Sequence, residues 1–169
     1  MNAIYLGPPV ILLNIGLIAS LLAWLTTGGG VPFPNRLIGP IFLVSIAVQT
    51  CHFLEEYAGR LYEILPPVFG LSPLPAHKFV VFNLIWIGIF LLSAVGVFKR
   101  VRIALLPVWF MALVGGIGNT IIHGWHAIQS GGYSPGVATA LVNLPLAVVL
   151  IILLTGSVRQ VDRGRSFDS

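Results

Sequence analysis

Long apolar stretches alternate with short polar stretches along the whole chain. Five apolar stretches reach the roughly 20 residues that a helix rising about 1.5 Å per residue needs to cross a bilayer. They cover residues 3–26, 37–60, 76–98, 103–128 and 135–156. The first has no Lys or Arg before it and is longer than the apolar core of a signal peptide, so we interpret it as a true span. The pattern predicts an all-α fold, an integral membrane bundle of five transmembrane helices.

The polar stretches between these segments are interpreted as loops and turns. The longest, residues 61–75, contains four prolines, and only Leu61–Leu65 could extend the second segment as helix. We therefore expect no separate helix in this connection. Residues 1–158 form a single five-helix transmembrane domain in this interpretation, and residues 159–169 form a loose polar tail in the cytoplasm.

Composition excludes several classes of protein. Hydrophobic residues make up 57% of the chain and charged residues 8%, whereas an ordinary soluble domain has about 25% charged residues. Mean hydropathy is +0.98, so neither a soluble domain nor a disordered chain fits. Cys51 is the only cysteine, which excludes a disulfide scaffold. The net charge is +4, but no basic patch has interleaved aromatic residues, so we expect no nucleic-acid partner.

The basic residues predict how the bundle is oriented. With five spans, only Arg60 and Lys78 fall on one side of the membrane. The seven on the other side are Arg36, Lys99, Arg100, Arg102, Arg159, Arg163 and Arg165. Loops rich in Lys and Arg stay in the cytoplasm. We therefore expect a cytoplasmic C-terminus and an N-terminus outside.

All four histidines fall at one level of the predicted bundle. His52 lies about 22 Å along the second segment from the cytoplasmic side, and His123 and His126 lie about 30–35 Å along the fourth. His77 stands at the start of the third segment, which enters from outside. Scattered core histidines would not be expected to share a level. Ionisable residues within a membrane are typical of functional sites, so the outer half of the bilayer is the predicted location of one.

The second segment carries a polar face at this level. Successive helical residues are about 100° apart, so Glu55 lies about 60° to one side of His52 and Glu56 about 40° to the other. Gln49 lies one turn below them on the same side. The three titratable side chains therefore share one face of the helix.

The fourth segment carries a matching face. Asn119, His123 and His126 fall within an arc of about 60°. The glycine-rich stretch 114–118 lies just below them, and small residues let a neighbouring helix approach closely. The two polar faces are therefore predicted to come within side-chain reach of each other.

A metal ion would account for the two adjacent glutamates. Two buried carboxylates stay charged only beside a compensating cation, and no Lys or Arg lies deep in any segment. Imidazoles and carboxylates without thiolates suit iron, manganese or zinc. The predicted ligands of one or two divalent metal ions are His52, Glu55, Glu56, His123 and His126, of which the first three are also the predicted catalytic residues. Asn119 is expected to orient His123 or bind weakly, and His77 is a further candidate ligand.

Structural explanations stay open for the same residues. His52 and Glu55 could be a polar pair at the membrane interface, and water could reach both glutamates, with Arg60 one turn beyond as their partner. His123 and its neighbours could belong to an interfacial aromatic belt. His77, beside a lysine, could be a plain interfacial residue.

The run from His52 to Glu56 has the form H-x-x-E-E inside a small apolar chain with several spans. With the second polar face, residues 30–155 resemble the HXXEE-domain family of bacterial membrane proteins, which is named for this motif. The resemblance implies that His52, Glu55 and Glu56 form a shared site and that the membrane is the bacterial cytoplasmic membrane. It implies no substrate.

Three functions fit these features. The preferred one is a metal-dependent membrane enzyme acting on a lipid or another hydrophobic substrate, by O₂-dependent oxidation with iron or by hydrolysis with zinc. The second is a metal-free acid–base lipid isomerase, by weaker analogy with emopamil-binding sterol isomerases, which are small membrane bundles with buried His and Glu. The third is a non-enzymatic protein, namely one that binds a lipid or cofactor, one that carries a metal or haem, or a partner subunit of another protein. Assembly into a homo-oligomer is also left open.

Overall fold

The computed structural model of the chain describes residues 8–28 and 35–165. Over those ranges the fold is all-helical, without strands. Four of the predicted apolar segments each contain one continuous α-helix. These are α1 (Pro8–Gly28), α2 (Ile38–Ala58), α4 (Ala76–Phe98) and α7 (Val137–Arg165). A further helix, α3 (Leu61–Val68), lies in the connection after the second segment.

The fourth apolar segment is one continuous span of mixed helix types, Arg102–Ser130, here called the composite span. It begins with a 3₁₀ turn, Arg102–Ala104, and continues as α5 (Leu105–Phe110). Residues Met111–Gly118 form a π-helical stretch, and α6 (Asn119–Ser130) completes the span. A π-helical stretch is rare and often lies next to a functional site.

The exterior of the bundle is suited to lipid. Among residues 8–28 and 35–165, four helices are long and apolar enough to cross a membrane. They are α2, α4, the composite span and Val137–Gly156 of α7, and α1 adds a shorter apolar stretch, Ile11–Thr27. Large apolar side chains such as Leu92 and Ile128 are 76% and 80% exposed. A surface of this kind is typical of contact with a membrane. The predicted all-α membrane bundle is confirmed.

The interior divides into an apolar half and a polar half. The apolar half packs the beginning of α2, the end of α4, α5 and the second half of α7 around buried side chains such as Phe42, Phe90, Val108, Met111 and Leu150. The opposite half contains the end of α2, the beginning of α4, α6 and the beginning of α7. Here the buried residues include His52, His123, His126 and Asn143. α7 packs against both α2 and the π-helical stretch, so it links the two polar faces.

Two expectations about the connections were wrong. Residues 61–68 form the separate helix α3 instead of a loop, because Arg60 adopts a left-handed conformation, with φ of 54°, that interrupts the helical path after α2. Pro66 lacks the N–H that would bond the Tyr62 carbonyl, and the N–H of Leu74 donates to that carbonyl instead, at 2.8 Å. The expected loose tail is also helical at its start, since α7 continues to Arg165.

Candidate metal centre

The site lies in the polar half of the bundle, where two helices present their polar faces to each other. His52 and Glu56 lie one turn apart on α2, and His123 lies on α6. His52 is 1% exposed and His123 is 2% exposed, while the side chain of Glu56 is 12% exposed. The three side chains therefore meet in an interior that is almost closed to its surroundings.

Glu56 stands between the two imidazoles. Its Oε1 atom lies 3.3 Å from Nε2 of His52 and 3.2 Å from Nε2 of His123. The two rings are nearly perpendicular, with centroids 4.8 Å apart. One ligand atom from each residue lies within 4.8 Å of the others. These three are the described residues whose imidazole and carboxylate groups converge closely enough to hold one metal ion.

The two histidines are supported differently at their far nitrogens. Nδ1 of His52 lies 2.9 Å from the hydroxyl oxygen of Thr139, in the first turns of α7. Nδ1 of His123 is buried without a hydrogen-bond partner among the described residues, as is Nε2 of His52. A hydrogen bond therefore orients His52, whereas packing alone holds the far side of His123.

Glu55 turns away from Glu56 toward the beginning of α7. Its Oε2 accepts hydrogen bonds from the Thr139 backbone at 3.0 Å and from the Thr139 hydroxyl. Its Oε1 accepts from the Ala138 backbone at 3.2 Å and from the Tyr133 hydroxyl. The first N–H groups of a helix have no partner within the helix, and Glu55 supplies an acceptor for two of them.

The segment between α6 and α7 covers the centre. Ser134 is fully buried, and its hydroxyl lies 2.9 Å from Nδ1 of His126. Gly136 has a φ of +94° and lies directly against both imidazoles. A Cβ atom on it would lie 2.6 Å from Cε1 of His123 and 2.8 Å from Cε1 of His52. Only a glycine fits this position without displacing the rings.

A second polar group lies one turn below the centre. Asn143 of α7 donates to the carbonyl of Gly115 at 3.1 Å and to Oε1 of Gln49 at 3.3 Å. Gly115 belongs to the π-helical stretch, so this contact ties the irregular part of the composite span to both α7 and α2. Hydrogen bonds of this kind hold membrane helices together and fix the relative position of the two polar faces.

The structure distributes the other predicted site residues around the centre. His126 is hydrogen-bonded to Ser134. Asn119 is half-buried on α6 and takes part in none of the hydrogen bonds described above. His77 is exposed at the beginning of α4. Arg60, the partner considered for the glutamates, instead donates to Glu63 at 2.7 Å.

Four residues of the site were not among the candidates, namely Tyr133, Ser134, Gly136 and Thr139. They belong to the turn before the fifth apolar segment or to its first residues. Their position at the same end of the bundle as the histidines is a signal in the sequence. What the sequence does not reveal is that this turn lies against α2, because that contact depends on the packing of α7.

Comparison with protein-family models, with curated proteins and with solved structures found no match. The chemistry of the centre therefore rests on its own donor set, two imidazole nitrogens and one carboxylate oxygen. Two histidines and one carboxylate bind zinc in hydrolases and Fe(II) in oxygenases.

Proposed function

We propose that the protein is a metal-dependent integral membrane enzyme that acts on a lipid or another hydrophobic substrate. The supporting observation is the convergence of His52, Glu56 and His123 on one point. Two ligand atoms that each lie about 2.0–2.1 Å from a tetrahedral metal are about 3.3 Å apart. The observed separations from Glu56 Oε1 are 3.3 and 3.2 Å, so the carboxylate already has ligand spacing to both imidazoles, and one ligand atom from each of the three residues lies within 4.8 Å of the others.

The electrostatics of the site also favour a cation. Glu56 is nearly enclosed, and its ion-pair contacts are with the two histidines. An enclosed carboxylate beside neutral imidazoles lacks a compensating charge, which a divalent ion supplies. Nε2 of His52, which has no hydrogen-bond partner in the described parts of the chain, would become a ligand atom.

Three protein ligands leave a coordination position for water or substrate, the arrangement found in catalytic rather than structural sites. A zinc ion there would activate water for hydrolysis, and an iron ion would support O₂ chemistry; manganese fits the same donors. The lipid-facing exterior of the bundle supports a hydrophobic substrate that arrives through the membrane. In this proposal, His52 and Glu56 of the H-x-x-E-E motif are ligands, in keeping with the resemblance to the HXXEE-domain family.

Metal analysis of the detergent-purified protein tests the proposal. We expect about one zinc, iron or manganese ion per chain, and a lower melting temperature after chelation, because a ligand that binds only the folded state stabilises it. Glu56→Gln and His123→Ala should each lower metal affinity by more than about 100-fold. Losing a residue that only supports a ligand costs up to about 100-fold, and losing a ligand itself should cost more. Glu63→Gln and His77→Ala are the matched controls, since both residues lie outside the centre, and they should keep full occupancy.

A metal-free acid–base isomerase is the second candidate. The separations of 3.2 and 3.3 Å that suit a metal also allow a proton to pass between Glu56 and either imidazole. A wild-type protein that carries no metal and gains no thermal stability from zinc, iron or manganese would exclude the metal centre. The acid–base reaction would then become the leading proposal.

A further inference from the structure

Glu55 lies next to a proposed ligand but is directed toward a different part of the fold. Four donors surround its carboxylate: the Tyr133 hydroxyl, the backbone N–H groups of Ala138 and Thr139, and the Thr139 hydroxyl. Both oxygens already accept a backbone N–H, so each acts as an acceptor. Hydrogen-bond donors and the N-terminus of a long helix both favour an ionised carboxylate.

This arrangement fixes the direction of the next hydrogen bond. The Thr139 hydroxyl has one proton, and it donates that proton to Oε2 of Glu55 at 2.5 Å. The Thr139 hydroxyl also contacts the Gly136 carbonyl, at a longer distance of 3.3 Å, and that carbonyl oxygen too can only accept. Toward Nδ1 of His52, at 2.9 Å, the hydroxyl oxygen can therefore only accept.

The tautomer of His52 follows. Nδ1 must carry the proton that it donates to Thr139, so in the neutral ring Nε2 carries a lone pair. That lone pair faces the carboxylate of Glu56, 3.3 Å away. Two acceptors that face each other in a buried site repel unless a cation or a proton lies between them.

We propose that Glu55 is a positioning residue that acts through Thr139 to make Nε2 of His52 a metal ligand. The inference rests on the proposed metal centre and changes the role expected for Glu55, which orients a ligand instead of binding the ion. Histidine ligands are commonly fixed in this way by a carboxylate or carbonyl at the other ring nitrogen, and losing that partner costs about 10–100-fold in metal affinity. Here a threonine hydroxyl lies between the carboxylate and the ring.

The test measures the tautomer and the affinity separately. In the metal-free protein, ¹⁵N chemical shifts of the His52 ring should show a protonated Nδ1 in the wild type and in Thr139→Ser. Thr139→Val removes the acceptor with little change of shape and should lose this preference. Zinc affinity, measured by competition with a chelating dye, should fall about 10–100-fold in Thr139→Val and stay within a few-fold of wild type in Thr139→Ser. Thr50→Val is the matched control, because the Thr50 hydroxyl donates to the Ile46 carbonyl of its own helix.

A double-mutant cycle tests whether Glu55 acts through Thr139. Glu55→Ala should weaken zinc binding in the wild type but have little further effect in Thr139→Val, because coupled residues are not additive. The melting temperature of each metal-free variant shows whether it folds, and if Glu55→Ala does not fold, the Thr139 variants decide the question. Wild-type zinc binding with an Nε2-protonated His52, or unchanged affinity in Thr139→Val, would overturn this inference while leaving the metal centre intact. A wild type with the expected tautomer and no metal would overturn the metal centre instead.

Discussion

At Gly136 the backbone has a φ of +94° and passes against both imidazoles. An alanine there must adopt a left-handed conformation, which costs about 1–2 kcal/mol, and must also displace the two rings. We expect Gly136→Ala to lower the free energy of unfolding by about 2–5 kcal/mol, the strain together with an overpacking penalty of about 1–3 kcal/mol. Metal affinity should fall with it, because Nδ1 of His123 has no hydrogen-bond partner among the described residues, so packing against Gly136 helps to hold the ring.

Gly131 provides the control for this substitution. Its φ is +66°, but a Cβ atom there would meet no atom within 4 Å from the described residues beyond its own neighbours in the chain. Gly131→Ala should therefore lose about 1–2 kcal/mol from strain alone and keep full metal affinity. Denaturation in detergent micelles and zinc titration measure the two effects, and equal losses in both variants would contradict the proposed contact between Gly136 and the imidazoles.

Tyr133 gives the site a pH-dependent contribution to stability. Its hydrogen bond to Glu55 raises the pKa of the Tyr133 hydroxyl to about 12 from the ordinary value of 10.0. The folded protein keeps this proton between pH 10 and 12, where the unfolded chain loses it. Stability from this group is thus fully present below pH 10 and falls as pH rises through that window. We expect a fall in melting temperature there that is shallower in Tyr133→Phe; identical profiles would argue against the hydrogen bond.

The contact between the composite span and α7 depends on a glycine in the π-helical stretch. A Cβ atom on Gly116 would lie 2.2 Å from Cβ of Ala147, so any larger residue must separate the two helices. We expect Gly116→Ala to destabilise the fold by about 1–3 kcal/mol. Gly124 lies in α6 of the same span, and apart from its own helix backbone no atom in the described part of the chain lies within 4 Å of its Cβ position. Gly124→Ala should be neutral or stabilising by up to about 1 kcal/mol, and a loss equal to that of Gly116→Ala would contradict the close approach.

Periodicity predicted the helices of the bundle because each apolar segment forms most of its hydrogen bonds within itself. It did not predict α3, since the helix depends on a bond between Leu74 and Tyr62 across the connection. The π-helical stretch was also missed, because its wide turns are stabilised by contacts such as that of Asn143 with Gly115. Irregular elements therefore depended on partners that the local sequence does not contain.

The site shows the same limit at the level of single side chains. Helical phase correctly placed His52 and Glu56 on a face directed toward His123. Glu55 and Glu56 are successive residues, about 100° apart, and this separation directs them to different neighbours. The sequence does not reveal that the neighbour of Glu55 is the beginning of α7, and so the two glutamates could not be distinguished from spacing alone.

For the molecule as a whole, the charge bias predicts which side of the membrane faces the cytoplasm. A fluorescent protein fused after Ser169 should fluoresce, and alkaline phosphatase at the same point should be inactive, because the side richer in Lys and Arg stays inside. The same reporters inserted after Gly70, in the connection between α3 and α4, should give the opposite result. Active phosphatase at the C-terminus would reverse the orientation and place the proposed metal centre in the cytoplasmic half.

The π-helical stretch also determines where the chain tolerates a change of length. A ring closed by an i→i+5 hydrogen bond contains one residue more than the i→i+4 ring of an α-helix. A deletion within Met111–Gly118 can therefore be absorbed when a wide turn closes to a regular one, with the flanking helices kept nearly in phase. A deletion between Asn119 and His123 lies outside the wide turns, and unless one of them closes it rotates the imidazole by about 100° around the helix axis. The span thus contains, directly before the helix that carries His123, a stretch in which the loss of one residue need not change the orientation of that histidine.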